Sequence, residues 1–83
     1  MIKVLYFAAI REQVGTESED VAAEGVATVA DLLAHLRERD ANRAEALAES
    51  RRLLVAVNQE YADRDRAVGD GDEVALFPPV TGG

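Results

Sequence analysis

Few residues in this chain could carry out chemistry on their own. Cysteine is absent, His35 is the single histidine, and Ser18 and Ser50 are the only serines. Without cysteine there is no thiolate nucleophile, no disulfide framework and no cysteine-based metal site. A nucleophile–histidine–acid triad has nothing to form from, because His35 falls on the flank of an expected helix and Ser18 in a polar strand. The acids Asp63, Asp65, Asp70, Asp72 and Glu73 invite a calcium reading. An EF-hand register begun at Asp63, however, places Ala67 at a ligand position and Val68 at the required glycine. These acids read as solvated turns. Gly69 and Gly71 are followed by Val74 where a dinucleotide loop needs its third glycine, so that motif fails too. What remains is the end of the sequence, Phe77-Pro78-Pro79-Val80-Thr81-Gly82-Gly83. A carboxylate on two residues without side chains can slide into a narrow active site of another protein, because glycine tolerates close backbone approach. A diglycine alone can be a frayed end. Here Pro78 and Pro79 lack backbone donors and fix φ, so they end a strand and hold the last residues out on a stiff stem. The expectation is that Gly83 carries the reactive group and Gly82 keeps the tip slim, on a tail over 78–83 that leaves a 1–77 domain.

The elements that must hold that tail belong to a single small domain. Eighty-three residues support one modest core without metal or disulfide. A content of 48% hydrophobic and 30% charged residues is that of an ordinary globular protein. The net charge of −7 argues against nucleic acid, whose phosphates need lysine and arginine. It suits a protein partner with a basic groove. The apolar run near the N-terminus is broken by Arg11-Glu12 with no small-residue cleavage site before it, so it reads as a buried strand rather than a signal peptide. No stretch is long enough to span a bilayer, and the lack of cysteine fits a reducing, cytoplasmic location.

Along the chain, Ile2 to Phe7 alternates apolar residues onto both faces of a strand: Ile2, Val4 and Tyr6 on one, Leu5 and Phe7 on the other. Residues 8–14 fit a helical turn ended by Gly15, and residues 16–23 a second, more polar strand. Thr28 can cap a helix with Asp31 reaching back, and Val29, Leu32, Leu33 and Leu36 then form one apolar stripe. Arg37 and Arg39 suit the helix C-terminus, and His35 is a surface residue beside the stripe. Residues 41–50 read as a short helix and 53–57 as a strand. Asn58-Gln59 marks a turn, 60–62 a brief edge strand, and Gly69 to Asp72 a tight turn into the last strand, 73–77. Two strands, one striped helix and further strands predict an α+β domain, a mixed sheet wrapped on one main helix in the β-grasp or ubiquitin-like manner. The expected core is Ile2, Val4, Tyr6, Val29, Leu32, Leu33, Leu36, Leu54, Ala56 and Val74. Phe7, Tyr61 and Phe77 are either ordinary packing or an exposed patch on the sheet face the helix leaves open; such aromatic patches anchor protein partners.

With these residues in view, the chain resembles the small-subunit family of molybdopterin synthase, β-grasp sulfur carriers. The resemblance is carried by Val4-Leu5-Tyr6-Phe7-Ala8, Arg11-Glu12 with Gly15-Thr16, Thr28-Val29 with Leu32, Leu54-Val55-Ala56-Val57-Asn58, Asp70-Gly71-Asp72-Glu73-Val74, and the closing Phe77 to Gly83. Residues 41–50 match poorly, and Tyr61 stands where the family has a smaller aliphatic contact. The resemblance implies that an ATP-dependent activating enzyme adenylates Gly83 and that a sulfur donor then converts it to a thiocarboxylate. It implies docking on a large subunit in a heterotetramer, through Phe7, Tyr61, Phe77, Pro78, Pro79, Val80 and Thr81. There the sulfur is donated to cyclic pyranopterin monophosphate in molybdenum cofactor biosynthesis, with the acid–base groups on the large subunit. No cofactor or metal is implied on this chain; ATP belongs to the activating partner. A thiamine-type sulfur carrier and a ubiquitin-like protein modifier share the activation chemistry and stand as alternatives, and a β-grasp binding module with an incidental diglycine stands as a third.

Overall fold

A computed structural model describes residues 1–79. Local sequence sets most element boundaries. β1 (Ile2–Tyr6) runs directly into α1 (Ala8–Val14), which Gly15 ends in the left-handed conformation at φ 90°. β2 (Ser18–Val21) follows. α2 (Val29–Arg37) opens on the expected capping box: the Asp31 N–H donates to Thr28 Oγ1 at 3.2 Å, and the Thr28 N–H donates to Asp31 Oδ2 at 3.2 Å. The next two donors of that first turn, Val29 and Ala30, bond the carbonyls of Arg66 and Arg64 at 3.0 Å each. No orphan donor is left there to weaken the helix start. α3 (Ala41–Ala46), β3 (Leu54–Val57), β4 (Glu60–Ala62) and β5 (Glu73–Phe77) complete the chain.

The five strands form one mixed sheet in the order β2-β1-β5-β3-β4. The central pair, β1 and β5, is parallel and every other pair is antiparallel. The stripe Val29, Leu32, Leu33 and Leu36 of α2 is buried against one face, meeting Ile2, Val4, Tyr6, Val21, Val55, Val57, Val74 and Leu76. This is the β-grasp arrangement the element order implied.

Two expectations are corrected. Leu54 does not face the core, and Ala56, though buried, stands outside the main core cluster, to which Val55 and Val57 belong. Leu54 is half-buried and lies opposite Phe77, and Ala56 lies opposite Ala75, on the other face of the sheet. A strand apolar at every position carries no alternation to fix its face, so register with β5 decides. The second helix is also shorter than residues 41–50. Leu47 is fully buried and leaves the helix at φ −108°, while Arg37 Nη1 donates to its carbonyl at 3.0 Å. Burying Leu47 and occupying its carbonyl stop the helix.

α3 is fastened to the edge of the sheet by an ionic cluster the sequence did not reveal. The Tyr6 hydroxyl donates to Glu19 Oε2 at 2.5 Å, and Arg43 Nε donates to the same oxygen at 2.9 Å. Arg39 pairs with Glu19 as well, and Arg43 with Asp40. Burial pushes the Glu19 carboxyl up, but the Tyr6 hydroxyl and the two guanidiniums outweigh it and hold it below its ordinary 4.5. A carboxyl lowered in the folded state stabilises fully above that ordinary value and loses the contribution as pH falls through the lowered one. Glu19→Gln should therefore lower stability at pH 7 by about 1–3 kcal/mol. The gap from the parent should narrow as pH falls below the ordinary 4.5, as read by denaturant unfolding across pH. An equal gap at pH 7 and pH 3 would remove the ionic explanation.

Candidate functional site

Among the described residues no helix packs on the face of the sheet opposite α2. Because Ile2, Val4 and Tyr6 turn into the core, alternation sends Lys3, Leu5 and Phe7 to this open face. The same rule places Glu73, Ala75 and Phe77 there from β5, with Val74 and Leu76 buried beneath. Parallel register sets Leu5 beside Ala75. The Phe7 N–H donates to the Leu76 carbonyl at 3.2 Å, carrying the ladder one residue beyond β1. Phe7 and Phe77 therefore meet at the end of the central pair. Their rings stack with centroids 4.6 Å apart and planes 14° from parallel. Such a pair contributes about 0.5–1.5 kcal/mol beyond its burial.

The result is a shallow groove. Leu5, Ala56 and Ala75 form its floor, the Phe7–Phe77 stack one end, and Tyr61, Gln59 and Glu73 its far side. Phe7 is 38% exposed and Tyr61 77% exposed, the latter on the short edge strand β4 opposite Ala56. The groove's other end is built by the Asn58-Gln59 turn, whose positive φ values of 51° and 71° suit a tight hairpin. Asn58 Nδ2 donates to Asp72 Oδ1 at 3.0 Å, and the Glu73 N–H donates to Asn58 Oδ1 at 3.0 Å. The Asn58 bond and the Gly69 N–H hold the Asp72 carboxyl below the usual carboxylate range. The acidic run is thus committed to turns. Among the described residues no group of three or more His, Asp or Glu side chains gathers as metal ligands, and no polar or charged residue is buried.

Of the site residues expected from sequence, Phe7, Tyr61 and Phe77 come together on this face. Pro78 is half-buried and Pro79 exposed just past the stack, where the missing N–H groups end the pairing of β5. Val80, Thr81, Gly82 and Gly83 lie outside the described residues. Sequence reading missed the floor of the groove, Ala56 and Ala75. The available signal was a small residue at alternate positions of two apolar strands. A second groove, between α2 and the α3–β3 connection, is lined by Leu33, Leu47, Leu53, Arg37 and Arg64. There Arg37 and Arg64 each spend a donor on a backbone carbonyl, of Leu47 and Leu53 respectively, and so act as braces. The arrangement suits docking: an apolar surface with an aromatic anchor, and no nucleophile–base pair among the described residues.

Comparison with known proteins places this geometry. The ThiS family matches residues 4–83. The molybdopterin synthase sulfur carrier subunit of Escherichia coli is 52% identical, with all of each chain covered. Small archaeal modifier protein 1 of Haloferax volcanii superposes with a TM-score of 0.76 at 32% identity, covering 95% of this chain and 97% of that one. A chain from the Helicobacter pylori complex of subunits 1 and 2 of molybdopterin-converting factor superposes at a TM-score of 0.65 and 28% identity, covering 99% and 97%.

If the aromatic end is a docking surface rather than core, its removal should spare the fold. Phe7→Ala should stay cooperatively folded and lose about 1.5–3 kcal/mol, from the stack and the partial burial together. Leu32→Ala, in the core, should lose about 2–5 kcal/mol. Chemical denaturation of both variants checks this; a Phe7→Ala chain that no longer unfolds cooperatively would make the stack part of the core.

Proposed function

The chain belongs to the ThiS family, and from that membership we propose that it is the sulfur carrier subunit of a molybdopterin synthase. The observation that carries this reading is full-length identity of 52% to a relative named for that role. Gly83 is the working residue and residues 78–83 are its tail. An ATP-dependent activating enzyme joins the Gly83 carboxylate to AMP with release of pyrophosphate, which supplies the leaving group a carboxylate lacks. A sulfur donor then displaces AMP and leaves a thiocarboxylate. The charged carrier docks on the large subunit through Phe7, Tyr61 and Phe77, with Pro78, Pro79, Val80 and Thr81 leading the tip into that subunit's active site. There the sulfur attacks a side-chain carbon of cyclic pyranopterin monophosphate, and the new carbon–sulfur bond replaces a carbon–oxygen bond at that carbon. Hydrolysis of the bond between Gly83 and sulfur leaves the sulfur on the pterin and restores the carboxylate. Two such deliveries build the dithiolene.

The chemical contribution of this chain is a nucleophile and its placement. Tethering the sulfur to a docked body turns a bimolecular encounter into a local one. Two carriers and two large subunits make the proposed heterotetramer, and nothing in a chain of net charge −7 favours nucleic acid. No helix among the described residues is long and apolar enough to cross a membrane. The likeness to an archaeal modifier protein supports a second use of the same activated terminus, acylation of lysines on other proteins.

The test is reconstitution with the large subunit and cyclic pyranopterin monophosphate. The thiocarboxylated chain should form the dithiolene product, and deletion of Gly83 should abolish it. Gly82→Leu should cut turnover about 100-fold or more, because a side chain one residue from the sulfur misplaces the attack. Unchanged turnover in Gly82→Leu would contradict the narrow-channel delivery, and unchanged turnover without Gly83 would contradict the carrier itself.

A further inference from the structure

Ala8 adopts φ 51°, in the left-handed region that few residues other than glycine, asparagine and aspartate visit. The two other described non-glycine residues with positive φ, Asn58 and Gln59, form a hairpin turn that asks for it. Ala8 lies in no hairpin. It joins β1 to α1 without a linker, after Phe7 in extended geometry at φ −123° and ψ 152°. The Phe7 N–H belongs to the sheet, bonded to Leu76 at 3.2 Å. The Phe7 carbonyl belongs to the helix, accepting from the N–H groups of Ile10 at 3.1 Å and Arg11 at 3.4 Å. The chain must pass from the open face, where Phe7 stands, to the helix layer, where Ile10 and Val14 are buried. The left-handed residue makes that crossing in one step.

The consequence falls on the Phe7 ring. It is partly exposed and its one aromatic partner is Phe77. Beyond that stack the ring is 38% exposed, so its position depends also on a backbone pinned on both sides. We propose that Ala8 is a positioning residue for docking: its left-handed backbone presents Phe7, stacked on Phe77, in the geometry the partner meets. This rests on reading the open sheet face as the docking surface. An anchor already held in its bound geometry loses less freedom on association, and affinity rises accordingly. Glycine at this position would permit the same conformation and many others.

The experiment compares three full-length chains made by chemical ligation, carrying L-alanine, glycine or D-alanine at position 8. D-Alanine adopts positive φ without steric cost and cannot relax to other conformations as glycine does. Binding to the large subunit of molybdopterin synthase is measured by calorimetry, thermal unfolding by calorimetry, and order of the Phe7 amide and ring by NMR. The expected result is that D-alanine binds at least as tightly as L-alanine. Ala8→Gly should bind about three- to tenfold more weakly, with a less ordered Phe7 and no matching loss of thermal stability. Ala8→Gly binding within twofold of the parent, or affinities that merely follow thermal stability across the three chains, would overturn the proposal. Phe7→Ala separates the two levels. If it binds as the parent does, the docking-face reading fails and this proposal with it; if it binds weakly while Ala8→Gly binds normally, only the role of Ala8 fails.

Discussion

The parallel pairing of β1 with β5 at the centre of the sheet is the constraint on which the rest depends. Parallel neighbours end at the same edge, so the last strand leaves the sheet beside the end of the first. That brings Phe7 onto Phe77, and it places Pro78 and Pro79 next to the stack rather than at a remote corner. A parallel pair also needs a crossover connection. α2 lies within that connection, and its stripe closes the core on one face alone. One pairing thus fixes the core, the open face and the place of Pro78 and Pro79.

Covering one face of a doubly apolar sheet leaves the other to be managed. This chain uses small residues there, Ala56 and Ala75, so the bare area is a groove rather than a row of large side chains. Its aromatic residues gather at the end nearest Pro78 and Pro79, apart from Tyr61 on the edge strand. Edges are handled separately. β4 is three residues long, and β2 carries Asp20 and a Glu19 tied into the cluster with Tyr6 and Arg43, all of which discourage further strand pairing.

What could be read from the sequence was what neighbours in sequence decide. The Thr28–Asp31 capping box, the stripe from Val29 to Leu36, the stop at Gly15 and the Asn58-Gln59 turn all arise from residues a few positions apart. The face of β3 did not, because Leu54, Val55, Ala56 and Val57 are all apolar and the choice is made by pairing with β5. Glu19 looked like one acid among many, since its partners stand 13, 20 and 24 positions away. The aromatic members of the site were visible as types. Their convergence depended on strand order, and the strained Ala8 on a crossing between layers that no local pattern records.

In the proposed reading the described domain supplies a platform, and the chemistry resides in a terminal carboxylate that other proteins activate and use. Intact-mass measurement of the chain, purified from a host that charges it and without strong nucleophiles, tests that division most directly. The account predicts a mass gain equal to one sulfur replacing one oxygen, located by fragmentation on Gly83. An unchanged mass under charging conditions, or sulfur located on any other residue, would contradict it.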